Sequence, residues 1–326
     1  PPRATATPPR PVLSLIETVP AEAQLGASTL TATHVAWLRL IGAAARSIDI
    51  EQFYVTARRR GRMRDVLEAL KAAVKRRVKV RLVVDAKFAR LYPEALEELG
   101  AGGVDVRILD VAKATGGVQH AKFMLVDAAH AYVGSANFDW RSLEHIHELG
   151  VEVHDGHVAA ALGAIFEHDY RLAAGLPPLV SSSPEPLDVA VGAHRVRLVA
   201  SPKQLLPDPR RWELPPMLDA IAKAKTRVWL QTLSHSTADQ FDAIDSALRE
   251  AASRGVKVRL MVSNWIKTRE RNDALAELAA VAGIEVTVVT VPTHSAGFIP
   301  FARVIHAKYI VVDDAWSWLG SSNLAH

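Results

Sequence analysis

The chain has 326 residues, 49% hydrophobic and 23% charged, which excludes disorder, collagen and coiled coil as its main state. Lys and Arg (39) exceed Asp and Glu (35), giving a net charge of +4, compatible with an anionic partner without requiring one. No cysteine is present, so disulfides, thiolate nucleophiles and Cys-ligated zinc are excluded, and no apolar run is long enough to span a bilayer.

The opening, PPRATATPPRP, reads as an extended Pro-rich tether within an N-terminal extension over 1–28. It begins at Pro1; a preceding signal peptide would suit a secreted or periplasmic location, and the compartment stays open. A first domain over 29–176 then alternates helix and strand. Helical periodicity covers 33–46 and 62–76, the latter through Val66, Leu67, Leu70 and Val74. β-branched runs predict strands at 48–54, 78–84 and 104–109, with a helix near 93–99. A β-pair follows at 119–126 and 130–134, then a strand at 149–153 and a helix at 157–173. Solid apolar strands between helices argue for an α/β fold with mixed β-sheet flanked by helices. Pro and Ser in GLPPLVSSSPEP mark a linker over 177–194, and a second domain over 195–326 repeats the plan, with helices near 237–254 and 270–282.

The repeat is explicit in the residues. HAKFMLVD (120–127) and GSAN (134–137) return as HAKYIVVD (306–313) and GSSN (320–323), every matched position displaced by 186. Upstream, RVKVRLVV (77–84) pairs with GVKVRLMV (255–262). This looks like duplication of one domain.

On a strand, His120 and Lys122 point to one face and Asp127 to the other, off the pocket, where it ties down its neighbours. An imidazole beside an ammonium suits a phosphate: one attacks or protonates, the other neutralises oxygen charge. Asn137 offers an amide to a phosphate oxygen without adding charge. The same reasoning selects His306, Lys308, Asp313 and Asn323.

H-x-K-x4-D followed by G-S-x-N, present twice, resembles the phospholipase D superfamily. SLIETVP, FYVT (53–56), GSANFDWRSLEHIHELGVEV (134–153) and IPFARVIHAKYIVVD (299–313) are similar to the branch holding animal lysosomal 5′ exonucleases and poxvirus envelope phospholipase-like proteins. The resemblance implies two tandem domains forming an intramolecular pseudo-dimer, with both H-x-K pairs meeting at the interface. It implies displacement at phosphorus through a covalent phosphohistidine, with no cofactor and no metal. His120 is assigned as nucleophile and His306 as acid; sequence alone does not settle which is which. In the superfamily a Glu on the strand after the Asn turn holds the attacking imidazole, and Glu148 fits that slot. The chain stops at His326, three residues past Asn323, so His306 lacks an identifiable acceptor and part of the second domain is expected beyond the end. The animal relatives carry disulfides, which this chain cannot form.

Tyr54 and Arg58 of FYVTARRRGRMR, and Trp265, Lys267 and Arg269 of SNWIKTRER, are candidates for binding substrate, since aromatic and basic residues suit stacking and phosphate contacts. Arg62 and Arg64 oppose the dipole of the helix they open. His145, His147, His154, His157 and His168 lack metal-ligand spacing. Trp140, Trp229 and Trp316 are expected in the core. The first functional reading is a phosphodiesterase on single-stranded nucleic acid. The alternatives are a phospholipase D or transphosphatidylase on phospholipids, with peripheral membrane contact, and a non-catalytic binding protein of the same fold.

Overall fold

A computed structural model describes residues 12–25, 29–179, 185–235, 242–265 and 268–323. The first half comprises β1 (Leu13–Thr18), β2 (Thr31–Ala32), α1 (Thr33–Ala43), β3 (Ser47–Gln52), β4 (Val55–Thr56), α2 (Arg62–Lys75) and β5 (Lys79–Asp85). It continues through α3 (Ala86–Leu91), α4 (Glu94–Ala101), β6 (Asp105–Leu109), α5 (Ala112–Thr115), β7 (Phe123–Val126) and β8 (His130–Gly134). Then come β9 (Phe138–Asp139), α6 (Trp140–Glu144), β10 (Glu148–His154) and α7 (Gly156–Ala173). The second half holds β11 (Val189–Val191), β12 (His194–Val196), α8 (Leu214–Lys223), β13 (Arg227–Thr232), α9 (Asp242–Ser253) and β14 (Lys257–Ser263). It closes with α10 (Arg269–Ala279), β15 (Ile284–Val289), β16 (Tyr309–Val312) and β17 (Trp316–Leu319).

Two mixed sheets result, ordered β2-β1-β10-β8-β7-β3-β5-β6 and β15-β14-β13-β16-β17. The stretch β8-β7-β3-β5-β6 repeats as β17-β16-β13-β14-β15, so strand order carries the duplication read from the motifs. Register agrees too: Ile48 faces Val126 as Val228 faces Val312. In the first half, α1 and α2 bury Trp37, Leu40, Leu67 and Leu70 with Ile48 and Leu82 of the sheet. Its other face is covered by α7, through Leu162 and Phe166 against Phe123 and Leu125. The Asp155 carboxylate starts α7 by accepting the N–H groups of His157 and Val158, two of the donors a helix start leaves open.

The second sheet is covered on one face by α8 and α9, through Met217, Ile221 and Leu248. Its opposite face leaves Met261 and Val288 exposed. Trp229, expected in the core, belongs to that open face and lies 36% exposed, with the Arg227 guanidinium 4.5 Å from its ring centroid. Strand alternation is the reason, because Val228 and Leu230 take the buried side. Trp140 and Trp316 are half-buried.

Two further differences from expectation concern boundaries. The tether expected over PPRATATPPRP lies outside the described residues, but the extension beyond it contributes β1, which pairs antiparallel with β10 from Leu13↔Val153 to Thr18↔Glu148. The alternation in LSLIET buries Ile16 and Thr18, which is what fixes it as a strand. The linker likewise contributes the β11–β12 hairpin, which packs Val191 on Val153 and Val158. Among the described residues no helix is long and apolar enough to cross a membrane.

Candidate active site

The hairpin β7–β8 positions the first motif. His120 and Lys122 precede β7 rather than lying within it, yet the N–H of Gly134 donates to the Lys122 carbonyl at 3.1 Å and extends the pairing. In the second half Gly320 does the same to Lys308 at 3.2 Å. Gly134 is required by close approach: a Cβ there would sit 2.6 Å from the Tyr132 hydroxyl and 2.8 Å from the Gly150 Cα.

Asp127 turns the hairpin with φ of 53°, a left-handed value that Asp tolerates better than bulkier residues. Its carboxylate accepts the N–H groups of Ala45, Arg46 and Ser47 at 2.9, 2.7 and 2.8 Å. Asp313, with φ of 51°, accepts those of Lys225, Thr226 and Arg227 at 3.0, 2.9 and 3.0 Å. Backbone donors hold both carboxyls below the usual range. Both aspartates anchor the start of the neighbouring strand and lie away from the pocket.

The candidate site is built across the seam between halves. The N–H groups of His306 and Ala307 both donate to the His147 carbonyl, at 2.8 and 3.0 Å, and the N–H of His147 donates to Val304 at 3.0 Å. This lays the second motif against the first half, directly beside Glu148. The Glu148 carboxylate then sits 2.8 and 3.0 Å from Nδ1 of His306. Burial would raise the Glu148 carboxyl, but the His306 and Lys308 charges and hydrogen bonding outweigh it, so it is lowered and ionised. An ionised carboxylate only accepts, so Nδ1 of His306 carries the proton and Nε2 is left for the pocket. The expectation that His306 lacks an acceptor is thus corrected: its acceptor comes from the other half. Sequence alone matches Glu148 to its own repeat, and the backbone bonds across the seam redirect it to His306. The Ser135 hydroxyl donates to Glu148 Oε2 at 2.5 Å and accepts the Leu149 N–H at 3.0 Å, orienting the carboxylate. Ser135 is the serine of GSAN, and its partner Glu148 is what the motif alone does not reveal.

Among the described residues no carboxylate pairs with His120; the Ser321 backbone, again from the opposite half, acts on its ring to raise its pKa slightly. Burial, then the charges of Lys122, Lys308 and His306, push its pKa well below 6.5. His306 is lowered too, by burial above all, but Glu148 opposes the shift. Lys122 and Lys308 are buried at 1% and 0% exposure. Burial and mutual repulsion drive Lys122 well below 10.5, and burial brings Lys308 down to about 7. The Lys122 ammonium reaches the His120 carbonyl at 2.7 Å, while Nζ of Lys308 has no hydrogen-bond partner among the described residues. Oδ1 of Asn137 and of Asn323 are likewise buried without one. Two lysines buried against each other suit an anion, whereas the unmet asparagine oxygens are acceptors and call for a donor.

Below His120, the Gln119 amide donates to the fully buried Glu51 at 2.8 Å. Burial and the nearby Asp169 raise the Glu51 carboxyl, and burial pushes Asp169 up to about 7. Sequence reasoning did not find this pair.

The remaining candidates scatter. The Tyr54 hydroxyl donates to Asp139 at 2.7 Å, and Asp139 is paired with Arg141 at 2.8 Å. Arg58 stacks on Trp140 at 3.3 Å. Trp265 lies beside Phe301, ring centroids 6.1 Å apart. Arg269 is 90% exposed and pairs with Asp273, and Lys267 lies outside the described residues. Arg62 donates to the Leu143 carbonyl and Arg64 pairs with Glu98, so both find intramolecular partners. The Glu144 carboxylate accepts the Arg62 N–H at 3.1 Å and supplies the negative charge that this helix start favours. His147 contacts Glu17 at 3.0 Å and Gln231 at 3.3 Å, a seam contact rather than a ligand set.

The sequence matches the family described as cardiolipin synthase, PLD-like domain, over residues 37–170 and 217–326. It is 32% identical to the 5′-3′ exonuclease PLD3 of Rattus norvegicus, across 95% of this chain and 71% of that protein. It is 33% identical to the 5′-3′ exonuclease PLD3 of Homo sapiens (89% and 67%) and 28% to the 5′-3′ exonuclease PLD4 of Mus musculus (95% and 69%). In fold it is similar to phosphatidylserine synthase from Haemophilus influenzae Rd KW20, with a TM-score of 0.55 at 11% identity over 86% of this chain and 74% of that one. It is also similar to polyphosphate kinase from Porphyromonas gingivalis, with a TM-score of 0.58 at 15% identity over 95% and 45%.

Proposed function

This chain belongs to the phospholipase D-like family of phosphodiester hydrolases, and on that premise we propose that its substrate is single-stranded nucleic acid, cut from the 5′ end through a covalent phosphohistidine. The observation that supports the mechanism is the hydrogen bond from His306 of the second repeat to Glu148 of the first, with Lys122, Lys308 and His306 near enough to His120 to depress it.

Neutral His120 attacks phosphorus; the bond from phosphorus to the leaving oxygen breaks, and His306 gives that oxygen its proton. His306, now neutral, takes a proton from water, the hydroxide attacks phosphorus, and the phosphorus–nitrogen bond returns its electrons to His120. The carboxylate slot of the superfamily would make His306, which Glu148 holds, the attacker; we assign the roles instead from unlike environments, since the deeper depression of His120 keeps it neutral while the Glu148 carboxylate favours the protonated form of His306. Lys122 and Lys308 neutralise the phosphoryl oxygens as charge develops, and Asn137 and Asn323 donate to the same oxygens. A metal is not needed for any of these steps.

Nucleic acid is preferred over phospholipid because the relatives of greatest length and identity named above are exonucleases. A panel of fluor-labelled oligonucleotides and phosphatidylcholine vesicles, with and without EDTA, tests both parts. Shortening of the single strand from its 5′ end, unaffected by the chelator, is expected. Choline release with intact oligonucleotides would transfer the activity to lipids, and loss on chelation would contradict the metal-free route.

A further inference from the structure

Four aromatic rings gather beside the attacking histidine, and none belongs to the buried cores. Phe53 and Tyr54 follow β3; Phe88 lies on α3, and Tyr92 sits one turn later. Phe53 packs on the His120 ring with centroids 4.8 Å apart, and on Phe88 at 3.9 Å. Tyr54 stacks on Phe88 at 5.6 Å with planes 22° apart, and touches Tyr92 at 5.3 Å. All four keep part of their surface open. A core function would close these rings over one another; a surface this apolar, left open at the edge of a cationic cavity, is built to receive something flat.

The group of rings is also held in register with the chemistry. The buried Asp85 carboxylate accepts the N–H groups of Lys87 and Phe88 through Oδ1, at 2.9 and 3.1 Å. Its Oδ2 accepts the N–H of Gln119 at 2.9 Å, one residue before His120. One side chain therefore fixes both the helix that carries Phe88 and the strand lead that carries the nucleophile. Asp139 fixes Tyr54 through its hydroxyl. Exposed Lys87 and Arg90 flank the rings on the same short helix, where further phosphates of a polyanion would pass.

We propose that Phe53, Tyr54, Phe88 and Tyr92 form a stacking subsite for the nucleobase attached on the His120 side of the scissile phosphate. This rests on the nucleic-acid reading and deepens it: affinity at the subsite comes from the π-face of a base, tolerant of its identity, rather than from an acyl chain.

The experiment compares kcat/KM for oligonucleotides that differ only at the nucleotides flanking the scissile phosphate. Each carries either a base or an abasic tetrahydrofuran, on one side or the other. For the unaltered protein, removing the base on one side is expected to cost about tenfold or more, the scale of one stacked base. In Phe88→Ala/Tyr92→Ala that preference disappears, while cleavage of the corresponding abasic strand stays within about threefold. Phe88→Tyr keeps a ring and keeps the preference, which separates stacking from a packing defect. If the unaltered protein cuts base-bearing and abasic strands equally, or the double variant keeps the preference, the subsite is wrong and the nucleic-acid reading stands. If no oligonucleotide is cut and phosphatidylcholine is hydrolysed, both fail.

Discussion

Glu148 and His306 belong to different repeats, and the carboxylate lies 2.8 Å from Nδ1 of the imidazole. The histidine of the second repeat is therefore oriented by the first half, and the proposed site draws on both repeats. The pairing sets the protonation state of His306, which makes it accessible to measurement.

Both histidines have pKa values lowered below 6.5, His120 further than His306. The reaction needs His120 neutral and His306 protonated, so kcat/KM should be bell-shaped with its optimum on the acid side of pH 6.5. Above the His306 pKa the acid loses its proton and the rate falls. Because Glu148 raises the His306 pKa, Glu148→Gln should move the basic limb to lower pH as well as reduce the rate. A pH–rate profile of both proteins decides it, and an unshifted basic limb would separate Glu148 from proton transfer.

Lys122→Ala should lower kcat by about 10²–10³, as loss of an electrostatic group aimed at transition-state charge does. Steady-state rates on an activated diester measure it. A change under about tenfold would place the ammonium away from the phosphoryl oxygens.

The same lysines weigh on the fold. A lysine whose folded pKa is depressed contributes stability above its unfolded value near 10.5, and that stability is lost as pH falls toward the folded value, about 7 for Lys308. At pH 6 the buried ammonium, without a hydrogen-bond partner among the described residues, thus opposes folding, on the order of a few kcal/mol. Lys308→Met should raise the melting temperature at pH 6 while abolishing turnover. Inorganic phosphate should raise the melting temperature of the unaltered protein more than that of the variant. Thermal scans at pH 6 with and without phosphate report both effects.

Asp127→Asn should act on structure instead. Three backbone donors lose a charged acceptor at a partly exposed turn, costing about 1 kcal/mol. Urea titration should show a lower midpoint, with kcat of the folded protein within a few-fold of the original.

The internal repeat made much of this legible in advance. Identical spacing around His120 and His306 located the two candidate pairs; that Asp127 stands apart from Lys122 agrees with the expectation, but the cause is the hairpin turn it occupies rather than alternation within a strand. Helix α7, expected at 157–173, runs Gly156–Ala173 because its apolar spacing and the Asp155 cap agree. The partner of Glu148 was not legible, because a repeat shows which residues correspond, not which copy they serve. Trp229 misled because an apolar run alone does not reveal that one face of its sheet is open. Strand β1 was hidden by the Pro-rich stretch just before it, and pairing with β10 is a long-range contact with no local signature. The Asp85 link between α3 and Gln119 depends on a chain reversal that no short motif encodes.

Covalent trapping tests the central claim most directly. His306→Ala protein is mixed with thymidine 5′-(p-nitrophenyl phosphate), whose leaving group needs no acid, and is quenched and mapped by mass spectrometry. A nucleotidyl adduct on the peptide carrying His120 is the expected result. An adduct elsewhere, or multiple turnover with none, would contradict a nucleophile in the first repeat served by an acid from the second.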